Sequence, residues 1–312
     1  MPLPEEILAA QKQPWPSDQF LDNVLAHGIS YGATIAASET SDSSPTDIQE
    51  ARRQQLRLLP ALLGEARHSL KLYGAESELL DRYDGLVDEV SRFSAAGSNR
   101  EVIRALQVAN REGLPTIFTP FNDGLWVNFV PFITRLGSHP VVAQKALVDP
   151  RPPDKYRFYL NPPLIDVPKV IDRLFHDDNL GDVLFHGKFI DLFDPEGYAR
   201  KDRIILYCQE DEVAELYKVL QSIKASLPEA FHDRPLPALP YPIEDGIGFA
   251  ASTPGKSYGR QRTELLIEAL AETETELRLA HPARRVSILR SHLSSTALSR
   301  GIDSVNIAFN QE

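Results

Sequence analysis

The chain has 312 residues and is 42% hydrophobic, enough to bury a sizeable core and to form roughly two domains. Its one cysteine, Cys208, excludes an internal disulfide and a cysteine-rich zinc site, and fits a reducing compartment or a protein that needs no staples. A net charge of −11 excludes a broad nucleic-acid-binding surface, so any anion site must be a local cluster of cations.

The N-terminal MPLPEEILAAQKQPWP is polar and acidic, without a basic stretch leading into an apolar run, and reads as no signal peptide. No apolar run approaches the ~20 residues of a membrane-spanning helix. The expectation is a soluble, cytoplasmic protein with no membrane partner. The Ser/Thr/Asp-rich stretch 38–47 reads as a surface loop ending in a helix cap at Asp47. From Ile48 to Phe93 apolar residues recur at helical spacing, punctuated by Gly74 and Gly97, and a further helix spans Glu101 to Arg111. Residues 1–112 are therefore a helical region.

After Gly113 the pattern changes. WVNFVPF, PVVAQKALV, KYRFYLN, DVLFHGKFI and DRIILYC read as strands bounded by Pro, Gly or Asp. Helices are predicted at Val167–Phe175 and Glu212–Leu227. The proline-rich stretch 232–247 reads as an extended crossing. A long helix is predicted from Tyr258 to Leu279, then a last helix or strand pair over Val286–Phe309. The fold class is α+β: a helical N-terminal region, then over 113–312 a mostly antiparallel sheet with flanking helices, the βα spacing leaving α/β open.

Strand alternation decides which side chains share a face. Arg157, Tyr159 and Asn161 fall together, as do His186 and Lys188, and Arg203 and Tyr207. Gly187 reads as open backbone that a ligand can approach. Each strand alone also reads as the solvated face of a half-open sheet. GIGFAASTPGKSYGRQR then leads into a helix with Ser257 as its expected cap. Lys256, Arg260 and Arg262 put cations where a helix start favours an anion, so the segment reads either as a phosphate cradle or as a Gly/Pro loop with a basic first turn. GKS at 255–257 lacks the P-loop spacing, since Ala250 stands where the first glycine belongs. His176–Asn179 and Phe231–Asp233 hold metal-capable side chains without a spaced partner set, and no metal or cofactor is expected.

RFYLN, FHGKF, RKDRIILY and GIGFA…SYGRQR, preceded by an AN…GLW element, resemble the Hop-effector-like family over roughly residues 105–270. That family includes type III effectors of plant pathogens. It also includes lyases that work beside a kinase in class V lanthipeptide and thioamitide biosynthesis. The resemblance implies that a Ser/Thr kinase phosphorylates a precursor peptide and that this chain removes the phosphate by β-elimination, leaving dehydroalanine or dehydrobutyrine. On it, Lys188 falls on the family lysine, Arg157 and Tyr159 on its RxY strand, Arg200 and Asp202 on its RxD, and Arg262 on the arginine of SFGxxR.

The implied roles are Lys188 as base, His186 or Tyr207 as acid or donor, Tyr159 beside them, and Arg157, Arg200, Arg203, Arg260, Arg262 and Ser257 on the phosphate. Residues 113–312 would be the lyase-like domain and residues 1–112 a region for a partner or leader peptide. The chain departs from biosynthetic members at PYPIEDG, where they often carry a threonine and a basic residue, and at Tyr258, where they carry Phe. The alternative is a non-enzymatic effector or scaffold that grips a partner protein.

Overall fold

A computed structural model describes residues 3–27, 43–72, 74–114, 116–120, 126–129, 155–177, 185–251 and 257–310. The chain opens with helices α1 (Glu5–Gln11) and α2 (Asp18–His27), then α3 (Pro45–Leu72), α4 (Ser77–Ala95) and α5 (Asn99–Arg111). The cap of α3 is Ser44 rather than Asp47. Ser44 N and Oγ donate to Asp47 Oδ2 at 3.1 and 2.7 Å, and Asp47 N donates back to Ser44 Oγ at 3.2 Å. Asp47 is thus the third-residue partner of a reciprocal cap. Gly74, Gly97 and Gly113 follow α3, α4 and α5 with φ near +70°, the left-handed turn that ends a helix.

Seven strands form one antiparallel sheet: β1 (Phe118–Pro120), β2 (Trp126–Phe129), β3 (Tyr156–Leu160), β4 (Phe185–Ile190), β5 (Ile204–Cys208), β6 (Tyr241–Glu244) and β7 (Ile247–Ala251). Their spatial order is β1-β2-β4-β5-β3-β7-β6. Four of the expected strands are present in β2 to β5. PVVAQKALV lies outside the described residues. The expected crossing over 232–247 ends in a strand, and GIGFA is a second one. The pair closes as a hairpin through Asp245–Gly246, with Gly246 at φ +75°. Proline in β6 and two glycines in and beside β7 hid both strands, while the Asp-Gly turn was their signal.

One sheet face is apolar. Phe158 stacks on Tyr217 at 6.2 Å, and Phe118 meets Phe175 at 6.0 Å and Phe189 at 6.5 Å. These contacts seat helices α6 (Val167–His176) and α7 (Val213–Ser226) on that face. Gly187 is buried, and alternation turns it to this apolar face, so it is not a point of ligand approach. The chain then runs through α8 (Tyr258–Leu279) and α9 (Pro282–Ser299), the latter settling the helix-or-strand alternative. The tail returns to the N-terminus: Asn306 Nδ2 donates to Ala10 O at 2.8 Å, and Trp15 N donates to Val305 O at 3.0 Å. Helices and sheet share one continuous core.

Candidate functional site

The opposite face of the sheet carries polar residues because pleating alternates them with the core. In register across three central strands, Arg157 lies opposite Tyr207 and Tyr207 opposite His186. One step along, Tyr159 lies opposite Ile205 and Ile205 opposite Lys188. Lys188 also lies opposite Asn128 of β2, and Trp126 of β2 opposite Ile190. Over this face lies a cleft of about 70 Å³ lined by Arg157, Tyr159, Lys188, Arg200, Asp202 and Tyr207. Its far wall is Pro237, Leu239 and Pro240 with Ser257, Tyr258 and Gly259 at the start of α8. The space is well below the ~300 Å³ of a drug-sized pocket and suits a compact group.

Glycine makes that wall possible. A Cβ on Gly248 would lie 3.3 Å from Pro240 Cβ and 3.5 Å from both Leu236 Cδ1 and Tyr159 Cβ. Its absence lets the proline-rich crossing lie close over the sheet. Tyr258 holds the crossing from the other side, its hydroxyl donating to Leu239 O at 2.9 Å and its ring 6.0 Å from that of Tyr159.

The electrostatics favour an anion: three cations face one carboxylate. Trp126 is the shared platform, with Lys188 Nζ 4.1 Å and the Arg200 guanidinium 4.9 Å from its ring centre. Arg200 is gripped from behind by Asp202, at 2.8 Å through Nε and 2.7 Å through the second fork. Burial pushes the Asp202 carboxyl up, and Arg200 and then Lys188 oppose that rise. Arg157 sits 5.1 Å over the Tyr207 ring, whose other neighbour is the His186 ring, stacked at 4.8 Å and 16°. Burial pushes the Tyr159 hydroxyl up to about 12 against the pull of Arg157, so it remains a proton-bearing phenol at neutral pH.

Six of the ten residues singled out from sequence therefore meet here: Arg157, Tyr159, Lys188, Arg200, Tyr207 and Ser257. His186 stands behind Tyr207. Ser257 occupies the cap position of α8, but its side chain makes no capping bond. Three arginines are elsewhere. Arg262 is 0% exposed and donates to Ile307 O at 2.6 Å, Gln261 Oε1 at 2.6 Å and Asn310 Oδ1 at 2.8 Å. It pins the C-terminal tail and lies 5.0 Å from the Tyr258 ring, so it supports the wall rather than gripping a ligand. Arg203 is buried and donates to Pro162 O and Tyr198 O, both at 2.9 Å. Arg260 is exposed and pairs with Glu264 at 2.8 Å.

Residue reasoning missed Trp126 and Asp202 as site members. Both stand in the motifs noted above, but only the β2–β4 pairing and the Arg200 fork bring them to the cleft. Among the described residues one group of three metal-capable side chains exists, His232, Asp233 and Asp245. It is exposed and does not line the cleft.

The family model described as "HopA1 effector protein family" matches residues 138–308, more than half of the chain. No curated protein matches. Two solved structures share the fold. The effector protein from Pseudomonas syringae pv. syringae strain 61 has 15% identity and a TM-score of 0.54, covering 99% of this chain and 98% of its own. The effector protein from Pseudomonas syringae pv. tomato strain DC3000 has 14% identity and a TM-score of 0.51, covering 97% of this chain and 100% of its own.

Proposed function

This chain belongs to the HopA1 effector protein family, and from that premise and the cationic cleft we propose that it is a lyase removing phosphate by β-elimination from phosphoserine or phosphothreonine of a peptide. In this reading a separate Ser/Thr kinase supplies the phosphopeptide, and the product is dehydroalanine or dehydrobutyrine in a ribosomally made, modified peptide such as a lanthipeptide or thioamitide. One observation carries the reading: a lysine, two arginines and three phenols line one small cleft on rigid strands and the segments beside them.

The chemistry divides among these side chains. Arg157 and Arg200 hold the phosphate oxygens, Arg200 preset by Asp202. The neutral amine of Lys188 takes the Cα proton, and the electron pair becomes the Cα–Cβ double bond. The Cβ–O bond breaks and its electrons leave with the phosphate. Tyr207 supplies a proton to the departing oxygen. Tyr159, kept as a phenol by burial, donates a hydrogen bond to the carbonyl oxygen where negative charge develops. The dehydroamino acid and inorganic phosphate depart, and solvent takes the proton from Lys188 and returns one to Tyr207.

The test follows the elimination rate on a synthetic phosphothreonine peptide against pH. Wild-type rate rises with pH as the lysine loses its proton. Lys188→Ala lowers it by roughly 10²–10⁴-fold and removes that pH dependence. A Lys188→Ala chain that still eliminates at the wild-type rate would refute the assignment. Phosphopeptide binding without any phosphate release would instead mark a binding module, the effector or scaffold alternative.

A further inference from the structure

A second surface lies beyond the cleft, at the exit of β4. There the chain leaves Ile190 for Asp191 and Phe193 and runs beside α5. Between them is an open groove of about 850 Å³. Along α5 it is lined by Arg100, Arg104, Gln107 and Arg111, whose spacing of four, three and four places them on one helical stripe. Ile103 and Phe193 are half-buried along it and give it an apolar floor.

The charges along this groove are one-sided. Its two carboxylates already serve the fold. Asp191 accepts from Gln55 Nε2 at 2.7 Å, Asn99 Nδ2 at 3.0 Å and Phe193 N at 3.1 Å, and Asp194 accepts from Glu196 N at 3.0 Å. Arg100 and Arg111 make no ion pair among the described residues. Arg104 reaches Glu101 only at 4.0 Å with 74% of its side chain exposed, a contact worth little. Most other arginines among the described residues are gripped by a carboxylate or a carbonyl, as Arg52, Arg67, Arg200, Arg262 and Arg290 are. Three exposed guanidinium groups on one stripe, over an apolar floor, stand out in a protein of net charge −11 and complement an acidic segment.

We infer that the groove between α5 and residues 191–195 docks an extended acidic peptide segment that also carries apolar side chains. From Arg100 to Arg111 the helix rises about 16 Å, the span of about five extended residues. Carboxylates two to four residues apart would meet the arginines, and an apolar side chain between them would rest on Ile103 and Phe193. This site is separate from the phosphate cleft and does not rest on the elimination reading, because its ligand needs no phosphate.

The experiment titrates the full chain into a fluorescein-labelled decapeptide of Glu, Asp, Leu and Phe and reads anisotropy. The wild-type chain binds it, and binding weakens steeply with salt. The triple variant Arg100→Glu, Arg104→Glu, Arg111→Glu weakens it by at least about tenfold, as three reversed rim charges should. The milder Arg→Gln triple variant weakens it less and controls for folding, while Lys188→Ala leaves it unchanged. Equal binding by the charge-reversed chain, or no binding by the wild type, would overturn the site. So would loss with Lys188→Ala, which would move the peptide into the cleft, or stronger binding of a single-stranded oligonucleotide, which would make the stripe a phosphate tracker.

Discussion

Arg262 shows how a charged residue can look functional and be structural. Its fork satisfies the Ile307 and Phe309 carbonyls and the Asn310 side chain inside the protein, and burial pulls its guanidinium below the ordinary arginine value. Replacing it with Met leaves the Ile307 carbonyl without its donor, while the Phe309 carbonyl keeps Asp303 N. We predict that Arg262→Met lowers unfolding free energy by about 3 kcal/mol in a denaturant titration while leaving phosphate affinity of the folded protein nearly unchanged. Sequence could not show this, because its acceptors in the tail lie 45 or more positions away. Alternation, by contrast, made Arg157, Tyr159, Lys188 and Tyr207 legible as one face, since a strand's period of two is local. Trp126 was legible only as the head of a strand. Its role as a platform under Lys188 and Arg200 depends on which strands are neighbours.

Elements with a strong local period were readable: α3 to α8 follow from apolar spacing and, for α3 to α5, from glycines at their ends. The β6–β7 hairpin was not, because proline and glycine dominate it, yet it supports the cleft wall. Gly246 turns that hairpin at φ +75°, and a Cβ there would meet Phe231 O at 2.6 Å and Phe231 Cα at 2.8 Å. Gly246→Ala is therefore expected to lower stability by about 2–4 kcal/mol, read as a fall in thermal midpoint.

A second prediction at this scale concerns the docking of α3 on α6. Burial alone would lower the His176 pKa, but its bonds to Glu65 Oε2 and Asp172 O, both 2.8 Å, leave it raised above 6.5. A histidine whose folded pKa is raised adds stability that is complete below the unfolded value and is lost as pH climbs through the folded one. Stability should therefore fall as pH rises above about 6.5. The change stays under about 1 kcal/mol, because the pair is half exposed and screened. Glu65→Gln should flatten that slope in denaturation midpoints measured across the range.

At the scale of the molecule, the matched fold reaches over nearly the whole chain in both effector structures, so the helical N-terminal region belongs to the shared architecture. The N-terminal segment and the tail meet through Ala10 and Trp15 on one side and Val305, Asn306 and Ile307 on the other. Strand order was invisible in the sequence, since β3 lies between β5 and β7, partners far along the chain, and long-range pairing leaves no local pattern. That order is what gathers Arg157, Lys188 and Arg200 around one space. The proposed function depends on this gathering, and a phosphorylated peptide tests it most directly. After incubation of a phosphothreonine peptide with the purified chain, its mass is read. The account predicts loss of phosphoric acid, giving a peptide lighter than the unphosphorylated form by one water, with no such loss from Lys188→Ala. An unchanged mass, or a return to the unmodified hydroxyl peptide, would contradict it.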